Sequence, residues 1–160
     1  MFRPYKKLDM PLIQAIHDQN HKDNGGLLVG PFYHFNNDYY VLEEQNKVIA
    51  YVNILQELPE RVTLQTDWDI PQQIELQGIY IRQVATDISW QGRGAGTMLY
   101  QELFRLFPGK DFYAHVRDSN RQSMHFHQKN AFANVGQFCA DEFYGISNYK
   151  AFLMCRKTEI

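Results

Sequence analysis

The chain has 160 residues, of which 44% are hydrophobic and 21% charged, and its formal net charge is −2. Length and balance suit one soluble domain spanning residues 1–160, able to bury roughly 70% of its unfolded surface without disulfides or metal. The scattered Lys and Arg speak against a nucleic-acid surface, and no stretch reaches the about 18 uncharged apolar residues that a membrane span needs.

Along the chain, Met1 to Pro11 mixes charge with two prolines and does not read as a signal peptide, so a cytoplasmic location is expected. Asp9 to Lys22 has Leu12, Ile13, Ala15 and Ile16 at helical spacing, with Pro11 in the first turn, and Asp23-Asn24-Gly25-Gly26 ends it. His17 and His21 lie four apart on this helix; without a Glu-His signature nearby they read as a surface pair rather than metal ligands. Tyr39–Glu43 and Lys47–Leu55 predict a hairpin turning at Gln45-Asn46, the second strand apolar on both faces and hence central. Gln56 to Gln73, polar and interrupted by Pro59 and Pro71, reads as a long loop.

Leu76–Thr86 predicts a strand, and Gly94–Phe107 a helix facing its core with Leu99, Leu103, Leu106 and Phe107 and stopped by Pro108-Gly109. A strand over Asp111–Val116, a helix over Asn120–Asn130 and strands over Ala133–Cys139 and Asn148–Arg156 complete the chain. This order implies an α/β fold, a mixed and mostly antiparallel sheet with helices on both faces. Cys139 and Cys155 lack the spacing of a metal or redox motif and are expected to be buried free thiols.

The stretch from Val84 to Gly96 ends a strand and opens a helix through Gln91-Gly92-Arg93-Gly94-Ala95-Gly96. Such a turn presents backbone N–H groups at a positive helix end, a place for a pyrophosphate, and its glycines keep β-carbons out of the way. A Walker loop would need Gly-Lys-Ser/Thr, and the sequence has Gly96-Thr97-Met98. The dinucleotide fingerprint fails as well, on the position of its third glycine.

These six residues match at every fixed position the Gln/Arg-x-x-Gly-x-Gly/Ala signature of the GNAT superfamily of acetyl-CoA-dependent N-acetyltransferases, which the chain resembles. The resemblance extends to Val84-Ala85-Thr86, similar to the strand end that pairs with the pantetheine arm. It also takes in Asn120 to Phe132, similar to the family's second motif, though with His127 for the usual Tyr and Ala131 for the usual Gly. Asn130, tolerant of the left-handed conformation, is expected to compensate for Ala131. The resemblance implies the GNAT fold and acetyl-CoA as cosubstrate, with no metal. It places the donor on Val84, Ala85, Thr86, Gln91, Gly92, Arg93, Gly94, Ala95, Gly96, Thr97 and Asn120.

For the chemistry, backbone N–H groups at Val84 to Thr86 would stabilise the oxyanion. His127, at an ordinary imidazole pKa, would protonate the leaving thiolate. His115 would be the base, at a position where N-terminal acetyltransferases of the ribosomal-protein type carry Glu, and Tyr80 would order a water chain. His115 and His127 also read as ordinary packed histidines. His125 and His127, two apart on a helix, are not a metal pair. Glu57, Glu60, Asp67, Asp69 and Glu75 read as a solvated loop or as a means of steering a cationic amine, and Phe32, Tyr33, Phe35, Tyr39, Tyr40, Phe143, Tyr144 and Tyr149 as packing residues, some of which would line its site. The expected partners are acetyl-CoA and an amine acceptor, small molecule or peptide N-terminus, without nucleic acid or membrane and with a homodimer open. A CoA-binding module without catalysis is the alternative from another class.

Overall fold

The computed structural model describes residues 1–21, 38–56, 68–69, 77–143 and 146–158. The elements are β1 (Phe2–Pro4), a 3-10 turn (Lys7–Asp9), α1 (Met10–His21), β2 (Tyr39–Glu44), β3 (Lys47–Leu55) and β4 (Trp68–Asp69). They continue with β5 (Ile79–Thr86), a second 3-10 turn (Ile88–Trp90), α2 (Ala95–Leu106), β6 (Phe112–Arg117), α3 (Arg121–Lys129), β7 (Ala133–Phe143) and β8 (Ile146–Arg156). They group into two compact units, Met1–Ile54 with Arg82–Phe107 and Leu55–Ile81 with Pro108–Ile160. β4 falls inside the expected long loop, and β7 and β8 both extend beyond their expected bounds. The Asp23–Gly26 break lies outside the described residues, as do residues 57–67.

In the first unit β1, β2 and β3 pair antiparallel in sequence, with β5 beside β3. The hairpin turns at Gln45 (φ 49°) and Asn46 (φ 62°), both left-handed as a type I′ turn requires. From Val48 to Ile54 every residue of β3 is buried, as its apolar run foretold. α1 lays Ile13 and Ile16 against Tyr39, Val41, Val48, Tyr51 and Ala85. His17 shares that stripe and is 1% exposed, its Nδ1 2.9 Å from the Tyr51 hydroxyl. The surface-pair expectation is thereby corrected: position 17 follows Ile13 by one turn and is carried inward with it. Leu12, one residue off the stripe, is exposed.

No strand is expected at the N-terminus from the residues alone, since a three-residue edge segment ending in Pro4 has no periodicity to read. β1 is paired to β2, and Arg3 ties it further, its guanidinium donating to both Asp9 carboxylate oxygens (2.7 and 3.0 Å) and to Glu43 (2.8 Å). Those bonds hold the Asp9 carboxyl below its usual range. α2 buries Ala95, Leu99, Tyr100 and Leu103. Leu106, expected on that face, is exposed, and Tyr100 takes the place, one turn before Leu103.

In the second unit β5 and β6 pair in parallel, β6 with β8 and β8 with β7 antiparallel, and β4 edges β7. The mixed, mostly antiparallel arrangement is the expected one. Cys155 is buried, its thiol pushed up to about 11 by desolvation, but Cys139 is exposed, correcting the expectation that both are buried.

α3 ends in a Schellman motif: the Phe132 N–H donates to the His127 carbonyl (3.0 Å) and the Ala131 N–H to that of Gln128 (3.1 Å). The left-handed residue is Ala131 itself (φ 66°), while Asn130 stays at φ −97°. The expectation for Asn130 is therefore corrected. Its side chain instead donates to the Phe126 carbonyl, and the motif fixes the left-handed position one residue later. An alanine there carries a steric cost that glycine lacks, so Ala131→Gly should raise stability by about 1 kcal/mol, read as the denaturation midpoint at unchanged m.

Candidate functional site

The donor signature lies wholly in the first unit. β5 ends at Thr86, Asp87 caps the Ile88–Trp90 turn, and the chain enters α2 through two glycines with positive φ, Gly92 (73°) and Gly94 (85°). Gly94 is the N-cap of α2, with no side chain to satisfy the first-turn N–H groups, which have no carbonyl one turn earlier within the helix. A β-carbon built on either glycine meets nothing within 4 Å. Only a glycine enters this backbone without strain, and the space before it is open; both suit a close-approaching anion.

This turn is tied down by groups the signature does not contain. Gln91 Nε2 donates to Asn20 Oδ1 (2.8 Å) and to the Thr86 carbonyl (3.3 Å), and Asn20 Nδ2 donates to that same carbonyl (3.0 Å) and to Ile16 (2.8 Å). Gln91 therefore joins the end of β5 to α1. Asp87 accepts from the Ser89 N–H (2.9 Å), pairs with Lys47 at 3.3 Å, and its own N–H donates to Ile49 (2.8 Å). The Ser89 hydroxyl, which also donates to this carboxylate, together with the Ser89 N–H and Lys47 holds the Asp87 carboxyl below its usual range. The guanidinium of Arg93 sits 5.6 Å over the Trp90 ring. Asp87-Ile88-Ser89 is legible as an Asx turn, but Asn20 comes from a distant helix and leaves no local signal.

Tyr80, His115, Asn120 and His127 belong to the second unit. Tyr80 is buried on β5 and faces Tyr113 in the parallel register; His115 lies two residues beyond Tyr113, so the three share one sheet face. Half-buried His115 places Nε2 2.9 Å from the Tyr149 hydroxyl, the two rings edge to face at 5.9 Å. Asn120 caps α3, its side chain accepting from the Ser123 N–H at 3.0 Å.

His127 is 2% exposed, with its ring edge against Phe126 (5.4 Å) and Phe132 (5.1 Å). Nδ1 is 2.8 Å from the Ser123 carbonyl, which can only accept, so this nitrogen carries the proton. Desolvation lowers the ring to about 4. The expectation of an ordinary imidazole pKa is corrected: burial holds His127 neutral, and its packing on Phe132 is the side-chain contact that accompanies a Schellman end.

Of the aromatic residues expected around an acceptor, Tyr39 is core, half-buried Tyr40 packs on Phe2 and Phe107, and Tyr149 is buried beside His115. Phe32, Tyr33, Phe35, Tyr144, Glu57, Glu60, Asp67 and Glu75 lie outside the described residues, as do the side chains of Asp69, Phe143 and His21. Among the described residues no group of three or more His, Cys, Asp or Glu could hold a metal, and no helix is long and apolar enough to cross a membrane.

Residues 9–132 match the family model of the acetyltransferase (GNAT) family. No curated protein matches the sequence. By structure the chain is similar to a GNAT-family acetyltransferase from Streptococcus agalactiae, at TM-score 0.76 and 14% identity, covering 100% of this chain and 96% of that one. It is similar to the ribosomal-protein-S18-alanine N-acetyltransferase from Escherichia coli (TM-score 0.62, 15% identity, 100% and 96% covered). A third similarity is to Arabidopsis thaliana NAA60 in complex with acetyl-CoA (TM-score 0.66, 17% identity, 97% of each chain). At such identities the likeness carries the fold, and the family model, spanning the glycine turn and the Asn120–Phe132 segment, carries the membership. The chain has the GNAT fold and belongs to the GNAT acetyltransferase family.

Proposed function

We propose that this acyltransferase is an acetyl-CoA-dependent N-acetyltransferase that delivers the acetyl group to a primary amine by direct attack. The observation that carries the reading is the open turn at Gly92 and Gly94, held from α1 and β3 and ending in the bare first turn of α2. Gln91 to Thr97 would hold the pyrophosphate through backbone N–H groups, Val84 to Thr86 the pantetheine arm, and Asn120 would add a contact to its capping role.

His115 is the base. It takes the proton of the attacking amine, directly or through water ordered by Tyr80, as the nitrogen bonds to the acetyl carbon and the carbon–sulfur bond breaks. The leaving thiolate takes its proton from solvent, since His127 is held neutral with its Nδ1–H donated to the Ser123 carbonyl. Neither cysteine enters, and the acetyl group passes without an enzyme-bound intermediate. A cytoplasmic location is part of the same reading.

The test is thiol release from acetyl-CoA against polyamines, aminoglycosides, amino acids and peptides with free N-termini. Turnover is expected with at least one class, and His115→Ala should lower kcat on the order of 10²-fold at unchanged KM for acetyl-CoA. Acetyl-CoA binding with no turnover across the panel would make the protein a non-catalytic CoA-binding module.

A further inference from the structure

His115 does not stand alone on β6. Across the antiparallel β6–β8 pair, Tyr149 reaches it with its hydroxyl 2.9 Å from Nε2. Tyr149 is itself fixed: it is 4% exposed, the Phe138 ring meets it edge-on at 5.9 Å, and the Arg117 guanidinium lies 5.7 Å over its face. One edge of the same residue lines an open groove of about 540 Å³ with Cys139, Ala140, Asp141, Asn148 and Lys150. A phenol so immobilised fixes the plane of the His115 ring, and where its oxygen is the acceptor the ring proton sits on Nε2.

We propose that Tyr149 is a positioning residue for His115: it accepts the Nε2–H hydrogen bond, and so presents Nδ1 as the nitrogen that takes the proton. The proposal rests on the reading of His115 as the base and adds which atom acts and what orients it. Nε2 is the nitrogen facing the hydroxyl. A base role therefore falls to Nδ1, whose lone pair is available only if the ring proton is on Nε2. The arrangement is that of a base oriented by a third group, with a phenol in the orienting place.

Two-bond ¹⁵N–¹H spectra of the imidazoles read the tautomer in the wild-type protein without any substitution. A protonated Nε2 and unprotonated Nδ1 at His115 are expected, and a proton on Nδ1 overturns the proposal. Tyr149→Phe keeps the ring against Phe138 and Arg117 and removes only the hydroxyl. It should mix the two tautomers and lower kcat about tenfold with the amine of highest turnover in the panel, at little change in either KM. The limb of the pH–rate profile that belongs to the base should move in Tyr149→Phe, which a merely structural phenol would not cause. A wild-type tautomer, rate and profile in Tyr149→Phe overturn the positioning role. A wild-type rate in His115→Ala overturns the proposal by a different route, removing the base itself. The two failures are told apart because in the first His115→Ala remains slow.

Discussion

Lowering the pH from 7 to 4 should remove about 3 kcal/mol more stability from the wild type than from His127→Phe. The cause is the buried ring, lowered from the ordinary 6.5 to about 4 by desolvation. Between those values the unfolded chain binds a proton at His127 that the folded chain refuses. The unfolded state therefore gains as pH falls through the window, and stability is lost. Above about 6.5 the ring is neutral in both states and contributes no pH dependence. Asp9 and Asp87, both lowered, lose their stabilisation further into acid and do so equally in the two proteins. Urea denaturation at a series of pH values measures the difference. Phenylalanine preserves the edge contacts to Phe126 and Phe132, so this variant should also keep turnover within a few-fold, where loss of a true general acid costs about 10²-fold or more. A parallel pH dependence in both proteins would mean that His127 is not the buried neutral group.

Acetyl-CoA should stabilise the wild type by about 2.7 kcal/mol at one hundred times its dissociation constant, and Gly94→Val should lose that stabilisation. Gly94 has φ 85°, so valine there carries a backbone cost of about 1–2 kcal/mol in the absence of any ligand. That cost must be separated from the ligand effect. Gly109, in the turn after α2, supplies the control, with φ 75° and nothing within 4 Å of a built β-carbon. Gly109→Val should be destabilised to a similar degree and still show the full acetyl-CoA shift. If Gly94→Val keeps its shift, the pyrophosphate is held elsewhere. If both variants lose it, the effect is global weakening of the fold and not a blocked turn.

What the sequence made legible follows from the range of each signal. The glycine turn, the hairpin at Gln45-Asn46 and the buried run of β3 are written in consecutive residues, and each stands where the residues place it. β1 could not be read, because its partners, the β2 strand it pairs with and Glu43 bonded to Arg3, lie about 40 residues on in the chain. Asn20 was invisible for the same reason, since only the fold brings its amide to Gln91 and Thr86. His127 shows a subtler limit. Its position on the inner face of a helix was readable from spacing, but the desolvation that sets its protonation comes from Phe126, Phe132 and their surroundings. A motif position supplies a side chain, and the packing around it decides which proton that side chain carries. Tyr149 was one of eight aromatic residues expected around an acceptor; only the folded side chains, with its hydroxyl at Nε2, show it as the partner of His115.

The most direct measurement is a parallel count of free thiol and N-acetylated amine, the latter by mass spectrometry, with acetyl-CoA and each member of the amine panel. Equal amounts of the two are expected for at least one acceptor, both falling together in His115→Ala, with no acetyl adduct on the protein when the amine is withheld. Thiol released without acetylated amine, or an acetylated Cys139 or Cys155 that forms and decays at the rate of turnover, would contradict direct transfer to an amine.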